Sequence, residues 1–391
     1  NCYNSKKETT EILINKKLNV YNNTKLDLSL SGLEKLTCTS IKVSDFILNK
    51  VYEIEINSLN SNTFFNDFKV FNQKIIDKYF IEKKDGLYLK SDNVIIKENI
   101  YIPKNKIVNL KAGQTLNIIN NAFIISDSAW LAQGEKKNPI LIKGEKKNLG
   151  GGILINDETN RSIFSNVIVS YLSGYNNNKF GVPNNEYLIF GAINFHQTDV
   201  YLSNILFKNI YSEDSINIIA STFFIENAEF IETISDSIDI DFSDGNIINS
   251  RFNNIGNDAI DFSGSNVNIT NANFNNIGDK LISVGENSQV KIVNVKAKNS
   301  YAGISVKDGS VAIIEDVLME NVMFPFLSYN KKFEYKQAIA YLKDINISQF
   351  HERWLTDKSS KIYMNNKSIG KITKKIIPII YEKDFSHLNT N

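Results

Sequence analysis

The sequence predicts an all-β fold: a single-stranded right-handed parallel β-helix with three strands per rung and 22–23 residues per rung, preceded by a small N-terminal α/β cap. Three observations predict it. An Asn-x-x-Phe motif recurs at Asn204/Phe207, Asn227/Phe230, Asn249/Phe252 and Asn271/Phe274. An aliphatic residue stands two positions before each Asn, at Leu202, Ile225, Ile247 and Ile269, and the column continues at Ile292 and Ile314. A second alternating strand accompanies each motif, with apolar pairs Ile193/Phe195, Ile216/Ile218, Ile238/Ile240, Ile260/Phe262, Ile282/Val284 and Ile304/Val306.

Weaker copies of the motif follow at Asn294/Ala297 and Asp316/Met319, and one precedes at Asn166/Val169. The steps from Asn204 are 23, 22, 22, 23 and 22; the step of 38 from Asn166 holds one rung and an insertion. A fixed period of this length is the signature of a solenoid. Period-two alternation turns the apolar pairs inward and their neighbours outward. One rung cannot bury its apolar face alone, so rungs must stack, with equivalent residues about 4.8 Å apart. The Phe column is then core. The Asn column shares the parity of the inward aliphatics, and is expected at an inward-facing turn where amides bond to one another and to the turn backbone.

The same pattern sets boundaries. Weaker rungs start in "NVIIKENIYIPKNKIVNLKAGQTL" and persist through "AIAYLKDINISQFHERWL", which places the β-helix at 92–370. Residues 1–91 lack the repeat and read as a capping segment, with a helical expectation over "NTFFNDFKVFNQKIIDKYF" (62–80). Residues 371–391 read as a tail closing the other end, since an uncapped solenoid exposes an aggregating edge. The triple glycine at 150–152 reads as a rung corner where backbones approach closely.

Composition excludes several function classes. The net charge is +1 and no stretch is strongly basic, so a nucleic-acid partner is not expected. Only three histidines exist, too few for His-rich metal chemistry. No run of eighteen apolar residues is present, so no membrane span is expected. The two cysteines, Cys2 and Cys38, both precede the repeats; they make no framework, though they could pair in an oxidising compartment. The chain begins at Asn1 rather than Met, which fits a processed start and an extracytoplasmic (periplasmic, cell-surface or secreted) location.

The segments "GAINFHQTDVYLSNILFKN" (191–209), "SEDSINIIAS" (212–221), "SDSIDIDFSDG" (235–245), "IGNDAIDFSGS" (255–265), "IGDKLISVGENS" (277–288) and "AGISVKDGS" (302–310) resemble the pectate-lyase-like superfamily of right-handed β-helices. Within it they are closest to the β-helix region associated with spore-coat-protein-H-like proteins of bacterial exopolysaccharide loci. The resemblance implies work on or near a surface polysaccharide and transfers no defined reaction. Residues 1–91 show no kinase-like motif, so phosphotransfer is not carried over. Fold alone does not settle function.

One strand carries an unusual outer surface. Its outward residues are Asn194 and His196, then Asn217, then Asp239 and Asp241, then Asp261 and Ser263, then Ser283, then Ser305 and Lys307. A second column at the strand's leading turn is Asp214, Asp236, Asp258 and Lys280. Stacked like charges raise pKa values unless a cation or protons intervene.

Three explanations compete. The leading column is structural, with Asp accepting turn N–H bonds and Lys280 neutralising its end. Alternatively, Asp239, Asp241 and Asp261 process carbohydrate, with His196 and Lys280 as proton donors or clamps. Asp239 and Asp241 sit about 6.5–7 Å apart along the strand, compatible with an inverting pair, whereas Asp239 and Asp261 on adjacent rungs approach the retaining distance. Asn194, Asn217 and Ser283 then contact substrate, and an inserted loop (172–188) offers Tyr175, Phe180 and Tyr187 as stacking walls. In the third explanation Asp239 and Asp261 hold Ca²⁺. A lyase pairs such an ion with a basic residue, but arginine is confined to Arg161, Arg251 and Arg353, leaving Lys280 as the base.

The expectation is therefore a bacterial extracytoplasmic protein that binds a surface or extracellular polysaccharide through this acidic face. Modification of the polymer is left open, and hydrolysis ranks ahead of elimination or epimerisation. No cofactor other than Ca²⁺ is considered. The alternative is a non-catalytic scaffold docking a partner protein of a cell-surface polymer machine.

Overall fold

The structure is a computed structural model that describes residues 72–174, 191–373 and 376–382, with the backbone of five short strands before them. The chain divides into two compact units: residues 1–67 with 182–186, and residues 68–181 with 187–391. In the first unit, Cys2–Tyr3 pairs antiparallel with both Thr9–Thr10 and Thr37–Cys38, and the register sets Cys2 opposite Cys38. A second antiparallel pair joins Ser40–Asp45 to Lys50–Glu55.

The second unit is a mostly-β parallel solenoid of about twelve turns. A typical rung holds the strands Asp244–Ile248, Arg251–Ile255 and Ile260–Ser263. Each pairs in parallel with its counterpart one rung away. Ile193, Ile216, Ile238, Ile260, Ile282 and Ile304 align in one unbroken column, as do Phe195, Ile218, Ile240, Phe262, Val284 and Val306. All twelve residues are buried, as the alternation requires. Phe207, Phe230, Phe252 and Phe274 stack nearly parallel, with centroids 5.2, 5.1 and 4.9 Å apart. Offset stacking adds about 0.5–1.5 kcal/mol per aromatic pair to the area they bury.

The Asn column departs from its expected inward orientation. Asn204, Asn227 and Asn249 are exposed, and Asn271 and Asn294 half-buried. All five adopt left-handed backbone conformation, with φ between 50° and 60°. Asn tolerates this region better than most residues. Such a corner breaks the period of two, so Glu226 and Asn227 both face out before Ala228 returns to the core. The amides do bond to one another: Asn271 Nδ2 donates to Asn249 Oδ1 (2.9 Å), and Asn294 Nδ2 to Asn271 Oδ1 (2.7 Å). A second left-handed column contains Asn254, Asn276, Asn299 and Asn321; Asn276 Nδ2 donates to Asn254 Oδ1 and Asn321 Nδ2 to Asn299 Oδ1, while Asn299 Nδ2 donates to Asn275 Oδ1.

A third ladder closes the remaining corner. The backbone N–H of Thr198, Ser221, Ser243, Ser265 and Ser288 each donates to the hydroxyl of the next rung, ending at Ser310. These buried donors would otherwise be orphaned at considerable cost. At the triple glycine, a Cβ on Gly151 would lie 2.6 Å from the Asn121 carbonyl oxygen, which excludes any other residue without backbone movement.

The helix Gln73–Tyr79 lies inside the segment read as helical and starts at Asn72, whose side chain accepts the Lys74 N–H (3.1 Å). It buries Ile76 and Tyr79 against the first rungs of the solenoid core. The tail forms a short helix, Ile376–Tyr381, that lies on the side of the solenoid. Its Ile376, Ile379 and Ile380 pack on Ala302, Phe324, Leu327, Tyr329 and Leu355, a cluster separate from the main core.

Candidate functional site

The acidic face is built from the strands Gly191–His196, Asp214–Ile219, Asp236–Asp241, Ile260–Ser263 and Lys280–Gly285. Parallel register aligns Asn194, Asn217, Asp239, Asp261, Ser283 and Ser305 in one outward column. Asp214 is paired with Asp236 at the leading edge. The two columns share a side, since Asn217 Nδ2 donates to both Asp214 Oδ2 (3.3 Å) and Asp239 Oδ2 (2.9 Å).

These carboxyls are more secluded than an outer surface suggests. Asp214 and Asp258 are buried, while Asp236, Asp239, Asp241 and Asp261 are partly so. Burial first, and then a neighbouring carboxylate, raises the proton affinity of Asp214, Asp236, Asp239 and Asp241. Asp236 is pushed up to about 8, with Asp258 the second cause. Asp241 is pushed up to about 6, with Asp261 the second cause. Asp214 and Asp239 lie well above the usual carboxylate range; burial leads in both, followed by Asp236 and by Asp214 respectively. Asp258 is raised by burial but drawn back by the Lys280 ammonium, to about 6.

Lys280 is only 2% exposed. Its Nζ lies 3.3 Å from Asp258 Oδ1 and 2.5 Å from Asp279 Oδ2. Burial disfavours its charge, yet these carboxylates outweigh it and hold its pKa above the ordinary lysine value. Lys280 therefore stays protonated, which leaves the elimination chemistry without the base assigned to it. The leading column also makes the turn bonds expected of it: Asp236 Oδ1 accepts the Asp258 N–H (2.9 Å), and Asp258 Oδ1 the Lys280 N–H (2.9 Å).

The remaining expected residues are placed differently from one another. His196 is a buried ring, not a surface one, at 3% exposure. Its Nε2 lies 3.3 Å from Asn217 Oδ1, and burial lowers its pKa to about 4, so it is neutral near pH 7 and poorly suited to donate a proton. Asn194 is buried and bonded to the backbone of Gly191 and Ile153, so it stiffens the rung rather than reaching outward. Ser283 is fully buried with its Oγ unpartnered. Tyr175, Phe180 and Tyr187 lie outside the described residues.

The tail brings residues that spacing could not reveal. Tyr381 places its ring 5.0 Å from Lys280 Nζ and 4.4 Å from Lys331 Nζ, and its hydroxyl 2.8 Å from that of Tyr329. Lys307, on the same outward face, approaches Asp261 Oδ1 at 3.6 Å. Lys332 pairs with Glu286 at the face's edge.

The calcium reading fares poorly. Among the described residues, the carboxylates that converge within 4.8 Å are Asp236, Asp258 and Asp261, without Asp239. Two of these three already face the ammonium groups of Lys280 and Lys307. Ca²⁺ takes six to eight oxygen ligands, and positive charge at this distance opposes it. The residues present do not fit the ion.

The titration has a consequence for stability. The folded protein binds the Asp236 proton up to about 8, whereas the ordinary value is 3.8. Its stabilising effect is full below about 4 and is lost as pH rises through about 8. His196 acts oppositely, but only as pH falls below 6.5. The melting temperature should therefore fall by several degrees between pH 6.5 and about pH 9, and Asp236→Asn should flatten that fall. A melting temperature that rises over this interval would contradict the burial of these acids.

The chain's sequence matches no known protein family and no curated protein. Among solved structures it is distantly similar to polysaccharide-active β-helix enzymes. The periplasmic alginate epimerase AlgG is 12% identical, with TM-score 0.44 over 75% of this chain and 83% of that chain. A family 28 exopolygalacturonase from Yersinia enterocolitica is 12% identical, with TM-score 0.40 over 83% and 75%. An alginate lyase from Paenibacillus sp. str. FPU-7 is 11% identical, with TM-score 0.34 over 68% and 98%. The likeness is one of fold.

Proposed function

We propose that this protein hydrolyses a polysaccharide outside the cytoplasm, using the acidic face as its active site. The observation that supports this most is a pair of secluded carboxyls, Asp239 and Asp241, two residues apart on one strand and both raised in proton affinity. Burial first, and then the neighbouring Asp214 carboxylate, favour the protonated form of Asp239. Its Oδ2 is held by the Asn217 amide (2.9 Å), which fixes the carboxyl in orientation to protonate a leaving glycosidic oxygen. Asp241, near 6, is mostly ionised at pH 7 and can take a proton from an attacking water. Their backbone separation of about 6.5–7 Å along the strand is compatible with an inverting pair, whose carboxyl groups stand about 6.5–9.5 Å apart. Asp261 lies opposite Asp239 on the next rung and adds to the rise in its proton affinity.

The resemblance to β-helices of exopolysaccharide loci supports a surface polymer as the substrate. Rungs about 4.8 Å apart also suit a chain of sugars running along the solenoid, since each ring can meet one rung. The test is a broad glycan panel incubated with the protein, with new reducing ends and unsaturated ends both monitored. Reducing ends without unsaturated ends are expected. No product from any glycan, together with tight retention of a partner protein, would replace this reading with the scaffold.

A further inference from the structure

The amide ladder at the Asn corner breaks at one rung. Asn227 Nδ2 donates to Asn204 Oδ1 (3.3 Å), and Asn271 Nδ2 to Asn249 Oδ1 (2.9 Å). Between them the ladder is open: among the described residues Asn249 Nδ2 donates to no group and Asn227 Oδ1 accepts from none. The break lies in a surface groove of about 370 Å³, lined by these two amides and by Glu229, Arg251, Asn271 and Asn273.

A second observation concerns charge. Register sets Glu229 beside Arg251 on adjacent rungs, yet no ion pair joins them, and Arg251 has no hydrogen-bond or ionic partner among the described residues. The outward column runs from Glu229 through Arg251 and Asn273 to Lys296. Arg251, Asn273 and Lys296 are exposed. The two cations stand two rungs apart, about 9.6 Å by the inter-strand spacing, a length that two sugar rings span. Lys296 is likewise without an ion pair among the described residues.

We propose that this groove is a second glycan site, holding a sugar chain that bears carboxylate or sulfate groups. It lies where the strand Asp244–Ile248 turns into Arg251–Ile255, whereas the acidic face is on the third strand of the rung, Ile260–Ser263. The Arg251 guanidinium presents a planar fork that matches an oxyanion with two parallel bonds, and Lys296 meets a second charge two sugars along. The open Asn249 donor and Asn227 acceptor, one rung apart, suit ring hydroxyls, each of which can both donate and accept. Glu229 closes the end of the cationic stretch and repels an anion placed over it. The chain's charges therefore fall from Arg251 toward Lys296. The site is a place to hold polymer and carries no reaction of its own, so it stands apart from the hydrolase reading.

Calorimetric titration of the full chain tests this with four probes: hexagalacturonate, sulfated maltohexaose, unmodified maltohexaose and a polyglutamate of matched charge. At least one of the two anionic sugars should bind about tenfold or more tightly than unmodified maltohexaose, and which one does so separates carboxylate from sulfate. Arg251→Gln should weaken that binding about tenfold, and Lys296→Gln less. Glu229→Gln should tighten it, an opposite sign that general damage to the fold would not give. Raising the salt concentration should weaken it, because the cations are exposed. Asp239→Asn and Asp241→Asn, on the acidic face, should leave it unchanged, and thermal melting checks that each variant folds. No binding of either anionic sugar up to about 1 mM, equal binding of unmodified maltohexaose or of polyglutamate, or full affinity in Arg251→Gln would each overturn the proposal. Loss of the binding in the Asp239 and Asp241 variants, with Arg251→Gln unaffected, would move the ligand to the acidic face and overturn it as well.

Discussion

Asp239→Asn is expected to cut the turnover of a cleaved glycan by about 10²–10⁴-fold, the usual contribution of a positioned general acid. The substitution keeps the shape of the side chain and removes only the transferable proton. Folding should survive it, because the change replaces a buried acid that already favours its neutral form. Asp241→Asn should give a comparable loss for the opposite reason, since it removes the proton acceptor. The acid limb of the parent's kcat/KM profile should then report Asp241, with activity falling as pH drops through about 6. Retention of full turnover in either variant, with an unchanged melting curve, would remove these two residues from the mechanism.

The second large effect is on stability. Phe252→Ala should destabilise the protein by about 3–5 kcal/mol, as large-to-small core substitutions of this kind do. Phe252 is 1% exposed and stacked between Phe230 and Phe274, so truncation opens a gap in the column and removes two ring contacts. Neighbouring rungs are held by their own ladders and cannot collapse freely into the space. Denaturant unfolding of the parent and the variant measures the difference. A change under about 1 kcal/mol would mean that the column relaxes or that the ring is not in it.

Much of this architecture was legible in the sequence because a solenoid writes its contacts at a fixed spacing. Ile238, Ile260 and Ile282 stand 22 residues apart and meet as neighbours, so a one-dimensional pattern becomes a ladder directly. The same logic located Asp239 and Asp261 on adjacent rungs. It failed at the corners. Asn227 was assigned inward by parity, but its left-handed backbone (φ 52°) inserts an extra outward residue and resets the alternation. The doublets Asn253–Asn254 and Asn275–Asn276 carried the signal of a second such corner. The series Ser221, Ser243, Ser265 likewise marked the hydroxyl ladder by its step of 22.

The electrostatic character of the site was harder to read. Spacing places Lys280 beneath Asp258 but does not show that both are buried. Seclusion at the C-terminal rungs comes partly from the tail helix, whose Tyr381 meets Lys280 across a sequence separation that no period encodes. His196 and Asn194 were assigned outward by correct parity, yet both are buried. Parity fixes the side of a strand and says nothing of what later covers it.

The claim on which the rest depends is that neighbouring carboxyls on this face hold protons with different affinity. Carboxyl-carbon NMR titration of the protein labelled at aspartate, with Asp239→Asn and Asp241→Asn used for assignment, measures this without any substrate. The account predicts that Asp241 titrates near 6 and that Asp239 titrates well above the ordinary carboxylate value. Titration of both near the ordinary value of 3.8 would contradict it.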